Sequence, residues 1–427
     1  MAYASRCWEE AGLLVSQAAF GLLWCFVLVL PWDVLTQVPV LGSIPRLVGV
    51  VASAVGTLHI LAKGRVRPLA WYHVFALLFV LWAGVSSLWS IDPDATRTRF
   101  ITYLQLAVLV WLIWEIAWSP ERQEALFQAY VLGACVAAGA TIHSYVAGAA
   151  WHSHGTIETA RFAALNQNPN ELGVTLALAL PMAWRLGLAH RIGRAAWVWR
   201  LYIPLGITGV LLTGSRGAFL AALVALGIIP WTLGRVGFNK KAALGALAAG
   251  SLALAITFVP DSSLERIKTT RADIESGYFG GRGAIWAAGL DAARERPLAG
   301  YGAGAFGAAV GPALHQDMDA HQVFLAILVE QGLIGLFLFL AMAAAVMEPL
   351  RRLPSIEQRF SIVLLLALAL GSLSITWDHR KQFWFVLGVL AAQMARRPAT
   401  ARSDGGHAPW VVTYGRGDED LAGESAR

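Results

Sequence analysis

The chain has 427 residues, 57% of them hydrophobic and only 14% charged, with a mean hydropathy of +0.57. Soluble domains carry about a quarter charged residues, so a water-soluble globular protein is excluded and an all-α polytopic integral membrane protein is expected. The net charge of +6 and pI of 9.4 would suggest a nucleic-acid partner only in a soluble chain; none is expected here, where the side of the membrane on which each cation falls matters more than the sum.

In chain order, apolar stretches of spanning length fall at 12–30, 47–62, 68–89, 101–118, 125–146, 171–188, 201–213, 218–234, 242–259, 322–347, 360–377 and 382–395. The first runs into Pro31-Trp32-Asp33 without a small-residue cleavage site and reads as a retained span. The pair at 201–213 and 218–234 reads as a broken hairpin around Thr213-Gly214-Ser215-Arg216-Gly217. Trp32, Trp71, Trp89, Trp118, Trp184, Trp197, Trp231 and Trp377 fall near span ends, where interface anchors belong. The organisation expected is helices 1–9 over 1–259, a large outer loop with short helices over 260–321, helices 10–12 over 322–395, and a polar, Gly-containing, disordered tail over 396–427.

With a cytoplasmic N-terminus, the even-numbered connections hold fourteen Lys and Arg, among them Lys63, Arg65, Arg67, Arg185, Arg200, Arg351 and Arg352. The short odd-numbered connections hold seven: Arg46, Arg97, Arg99, Arg161, Arg216, Arg380 and Lys381. The positive-inside rule therefore puts both termini in the cytoplasm and the long loop outside. No internal repeat at a fixed period is visible, which argues against the repeated architecture of many transporters. Cys7, Cys25 and Cys135 have neither metal-like nor disulfide-framework spacing.

The residues able to do chemistry gather on the expected outer side. Arg161 precedes the amide cluster Asn166-Gln167-Asn168-Pro169-Asn170, a turn in which Asn170 can cap the following helix. Arg216 sits in a glycine-flanked turn between spans, where it must snorkel or meet an anion, and the next helix offers its positive end. Arg282 opens an amphipathic helix in which Ile285, Ala288, Gly289 and Ala292 share a face beside Trp286 and which ends at Pro297. The Gly300-x-Gly302-x-Gly304 run that follows lacks the preceding strand and spacing of a dinucleotide fingerprint. His321 opens the tenth span, where the helix dipole favours its neutral, proton-accepting form; Asp319 as a cap with a passive histidine is the plainer alternative. His143, near the outer end of the fifth span, and Arg380, in the last outer connection, are secondary candidates. Glu330 lies too deep to be the obvious partner of His321, and Glu115 falls at a cytoplasmic interface. Asp92-Pro-Asp94 and Asp317-Met-Asp319 are the nearest approach to a metal-binding acidic pair, so neither a metal nor any other cofactor is expected.

The order of three motifs carries a resemblance. Thr213-Gly-Ser215-Arg216-Gly217 lies between spans; Gly281-Arg282 and Trp286 precede Pro297-Leu298-x-Gly300-x-Gly302; and His321-Gln-x-x-Leu325 leads to Glu330-x-Gly332-x-x-Gly335. Together they resemble the O-antigen ligase family, within a wider group that includes O-antigen polymerases and protein O-oligosaccharyltransferases. The resemblance implies a lipid-donor glycosyltransferase with a GT-C-like fold in the bacterial inner membrane, its active site facing the periplasm. It implies an undecaprenyl-diphosphate-linked glycan as donor and a sugar hydroxyl of lipid A-core oligosaccharide as acceptor. Matched by motif, Arg161, Arg216 and Arg282 bind the donor diphosphate and His321 is the general base of an inverting transfer, with Ser215, Asn170, Trp286, His143 and Arg380 as secondary contacts. A polymerase or protein O-oligosaccharyltransferase using the same donor is the nearest alternative; Arg266 to Gly277 has a polymerase-like spacing, but in one loop only. A polytopic transporter is the alternative from a different class.

Overall fold

A computed structural model describes residues 2–32, 37–38, 42–153, 156–164, 167–189, 194–232, 234, 237–239, 241–243, 245–246, 282–316 and 318–394. Most of the expected ninth span, the Arg266–Gly277 pair, Asp317 and the tail over 396–427 lie outside them.

The described chain is almost entirely helical. Helices α1 (Ala2–Val29), α2 (Ile44–Lys63), α3 (Trp71–Val85), α4 (Pro93–Ile116), α5 (Pro120–Val146) and α6 (Pro169–Ala189) come first. Four shorter ones follow: α7 (Arg194–Arg200), α8 (Tyr202–Leu212), α9 (Arg216–Leu226) and α10 (Ile228–Thr232). Beyond the undescribed segment lie α11 (Gly283–Glu295), α12 (Phe306–Leu314), α13 (Val323–Met347), α14 (Ser355–Ser372) and α15 (Lys381–Met394). Two small antiparallel hairpins complete it: β1 (Gln37–Val38) with β2 (Gly42–Ser43), and β3 (Trp151–Ser153) with β4 (Thr156–Arg161).

Eight helical segments are long and apolar enough to cross a membrane, with shorter apolar helices over 196–212 and 216–232, so the protein is an all-α multi-pass membrane protein. The helix starts follow local chemistry. Pro45, Pro93 and Pro120 stand in first turns, where a missing N–H costs nothing. The Asp92 and Ser119 side chains accept from Ala95 N (3.0 Å) and Arg122 N (3.3 Å).

The most enclosed span is α6, 83% of whose apolar window is buried; it packs against α5, α8, α9 and α14. A second group pairs α3 with α13 and α4 with α15. Leu58, Leu61, Leu77, Leu81, Phe337, Leu340 and Leu366 point outward, which lipid accommodates and water would not. Two of the tryptophans expected at interfaces depart from that reading: Trp184 and Trp377 are buried at 0% and 1% exposure. Trp184 instead donates its indole N–H to Thr232 Oγ1 at 2.7 Å.

One helix is broken at depth. Within α13, Gly332 has φ +66° and ψ −167°, and a Cβ there would lie 2.2 Å from the Leu298 carbonyl oxygen. A break frees backbone groups that lipid cannot satisfy, and the 297–304 segment satisfies them. Leu333 N and Ile334 N donate to Pro297 O (2.8 Å) and Leu298 O (3.3 Å), while Val329 O and Glu330 O accept from Tyr301 N (3.0 Å) and Gly302 N (2.8 Å). Trp82 closes the set by donating to Gln331 O at 3.0 Å. The glycine run after α11 is thus a backbone patch on a broken span. A satellite core of Ile285, Ala292, Tyr301, Phe306, Val310, Leu325 and Val329 binds α11 and α12 to the start of α13.

Candidate active site

The site forms where helix ends meet. The turn from Thr213 to Gly217 joins α8 to α9, with Ser215 as the cap of α9, its Oγ accepting from Ala218 N at 3.3 Å. Arg216 is therefore the first residue of α9, at the end where backbone N–H groups and the helix dipole favour an anion. Arg161 ends β4, 8% exposed, and is oriented by the same turn: Nε donates to Thr213 O at 2.8 Å and Nη2 to Asn170 Oδ1 at 2.7 Å. The Trp151 ring, across the β3–β4 ladder, lies 5.7 Å from its guanidinium carbon.

Asn170 does not cap α6. Asn168 does, its Oδ1 accepting from Asn170 N at 2.9 Å and its carbonyl from Leu172 N. The Asn170 side chain is free to point at Arg161 because the preceding asparagine has taken the capping position.

Arg282 reaches the same turn through Ser374, and His321 lies within the influence of the Arg282 charge. A Cβ on Gly217 would lie 1.9 Å from Ser374 Oγ, so the start of α9 is seated on that serine. Arg282 donates from Nη1 to the Ser374 carbonyl at 2.8 Å. Burial and the Arg282 charge hold the His321 imidazole below its ordinary pKa, against the opposing charge of Asp319. His321 is thus neutral and able to accept a proton at neutral pH. It is not the cap of α13: Gln322 is, accepting from Leu325 N. His321 adopts φ +49°, a left-handed conformation uncommon outside glycine and of the kind that gathers at functional sites. Trp286 donates its indole N–H to Ala320 O at 3.0 Å and fixes the backbone that carries the histidine.

The secondary candidates fare differently. Arg380 is tied to Glu171 at 2.5 Å, next to Asn170. His143 is exposed at the end of α5, while Tyr145, two residues on, packs edge-on against Phe162. Glu115 is buried and accepts from Arg67 N at 2.7 Å. Glu330 is structural: 2% exposed, it accepts from Gly304 N at 2.8 Å and faces Arg99 at 3.5 Å.

Arg99 also binds Asp378 at 2.9 Å, and Tyr103 donates to the same carboxylate at 2.5 Å. Asp378 is fully buried; burial works against its charge but is outweighed by Arg99, with His379 and Tyr103 adding, so its carboxyl stays well below the ordinary range. The adjacent His379 is pushed down to about 4, chiefly by burial and then by Arg99. Sequence reasoning missed this cluster and Ser374 alike. Ser374 falls within the expected 360–377 span, whereas the helix ends at Ser372 and irregular chain follows; Gly371-Ser372 was the available signal.

Residues 201–340 match a family model described as O-antigen ligase. No curated protein matches the chain.

Proposed function

We propose that this chain, whose residues 201–340 match the O-antigen ligase family model, transfers a glycan from undecaprenyl diphosphate to a sugar hydroxyl of lipid A-core oligosaccharide. In this reading the protein lies in the bacterial inner membrane with both termini cytoplasmic, and residues 260–321 belong to the periplasmic loop beside the site. The observation that carries it is the convergence of Arg161, Arg216 and Arg282 on the Thr213–Gly217 turn and Ser374, with a neutral, backbone-strained His321 beside Arg282.

The chemistry follows from those groups. A sugar hydroxyl is a weak nucleophile. The His321 imidazole takes its proton as the oxygen attacks the anomeric carbon, a contribution of about 10²- to 10⁴-fold. The bond from that carbon to the diphosphate oxygen breaks on the opposite face, so the configuration inverts. The electron pair leaves with the diphosphate, where the guanidinium groups stabilise the added charge. The imidazolium returns its proton to solvent. Arginines here take the part a divalent ion plays elsewhere, so turnover is expected to survive excess EDTA.

The test is reconstitution of purified protein with lipid-linked glycan and lipid A-core, in the presence and absence of EDTA. Glycan on the core supports the ligase. Elongation of the lipid-linked glycan would make it a polymerase, and no covalent product would favour a transporter. Activity lost to EDTA and restored by magnesium would overturn the metal-free mechanism.

A further inference from the structure

A cleft of about 640 Å³ opens between α2 and α4. The two helices touch where a Cβ on Gly56 would come within 2.6 Å of Leu112, and above that contact they part. The α2 wall runs from Pro45 to Ser53 and the α4 wall from Thr98 to Leu109. Nine to twelve residues of helix at 1.5 Å each give a depth of about 14–18 Å, roughly half of a ~30 Å hydrocarbon core. The cleft is therefore one leaflet deep. Its walls are mainly apolar, including Phe26, Val50, Ile101 and Leu106, and its rim is basic: Arg46 from α2, then Arg380 and Lys381 at the start of α15. Among the described residues that line it, none is Asp or Glu. An apolar slot one leaflet deep under a cationic rim suits a lipid with phosphate on its headgroup.

The slot adjoins the candidate diphosphate site through the 374–381 segment. The 374–381 segment presents Ser374 to Arg282 at one end and Arg380 and Lys381 to the cleft at the other. Arg380 reaches back through Glu171, the neighbour of the residue that orients Arg161. The cleft thus offers a second cationic rim, Arg46 and Lys381, beside the arginines of the candidate site, and an anionic lipid headgroup suits it. Resting on the ligase reading for the identity of that lipid, we propose that the α2–α4 cleft holds an acyl chain of the acceptor, with its phosphate on Arg46 and Lys381 and its sugar directed past the 374–381 segment toward His321.

The test places a photo-crosslinking amino acid at Val50 of the full chain, in nanodiscs of phosphatidylethanolamine and phosphatidylglycerol, and offers labelled lipid A-core. The expected result is crosslinking that unlabelled lipid A-core competes away and polyprenyl diphosphate does not. R46E with K381E should weaken that capture about tenfold or more without changing capture of labelled polyprenyl diphosphate by the full-length protein. Ser53→Trp, which fills the slot, should raise the KM for acceptor and leave the KM for donor unchanged. Competition by polyprenyl diphosphate would assign the slot to the donor chain, competition by added phosphatidylglycerol would make it an ordinary lipid contact, and either result overturns the proposal. The crosslink does not depend on turnover, so absence of transfer by the wild type with acceptor still captured would sink the ligase reading and leave the slot standing.

Discussion

The Arg99 cluster and the His321 cluster each gather ionisable side chains from distant parts of the chain, and they are built differently. Around Arg99, two carboxylates at 2% and 0% exposure, a tyrosine hydroxyl and a backbone N–H close on one another in the interior. Around His321, each group comes from the end of a helix or strand or from a turn, and it is oriented through a carbonyl, an amide or an indole. The first arrangement ties α4, α13 and the last connection into a frame. The second sets three guanidinium groups and an imidazole at the ends of helices and of a strand. Charge in a membrane protein therefore has two uses, and the distinction lies in what the side chain is bonded to rather than in how deep the sequence places it.

Substitutions separate the two regions. Asp378→Ala would leave Arg99 and Tyr103 facing an empty position in the interior. Breaking a buried pair in this way costs about 3–5 kcal/mol, so the variant should be lost from the membrane fraction, and normal accumulation with normal melting would mean that the cluster is not a frame. Arg161→Lys and Arg216→Lys should fold normally. A single ammonium cannot reproduce the fork that lets Arg161 bond Thr213 and Asn170 together, and each variant should lose about ten- to a hundredfold in turnover. Wild-type rates for both would contradict bidentate diphosphate binding.

A smaller effect concerns pH. The base works only when deprotonated, and burial and Arg282 hold its pKa below 6.5. The rate should therefore be flat through neutrality and fall only as the pH drops below the ordinary histidine range. Arg282→Gln removes one of the two lowering influences, so the acid limb of kcat/KM should move to higher pH; an unmoved limb would separate Arg282 from His321. The smallest effect is expected at Arg294, exposed and paired with Asp291 one turn away. Arg294→Ala should change stability by no more than about 0.5 kcal/mol and leave transfer intact.

Much of this arrangement was legible in the residues. Hydrophobic runs located the eight helices of spanning length among the described residues, where twelve spans were expected, and the turn at Thr213–Gly217 and the amphipathic helix after Arg282 stand where pattern and capping put them. What could not be read is long-range. Arg99 looks like one more cation in an outer connection, because nothing local says that residues 231 and 279 positions away will close on it. Glu330 looks stranded until the break at Gly332 and the backbone of 300–304 are seen to meet it. Asn170 reads in sequence as the cap of α6, but Asn168 takes that position and the Asn170 side chain bonds Arg161 instead.

The most direct test of the account is transfer by His321→Ala in the reconstituted system, measured beside its melting temperature and its binding of lipid-linked donor. With the arginines intact, the account predicts wild-type folding and donor binding with turnover reduced by about 10²- to 10⁴-fold. Substantial glycan transfer to lipid A-core by that variant would contradict it.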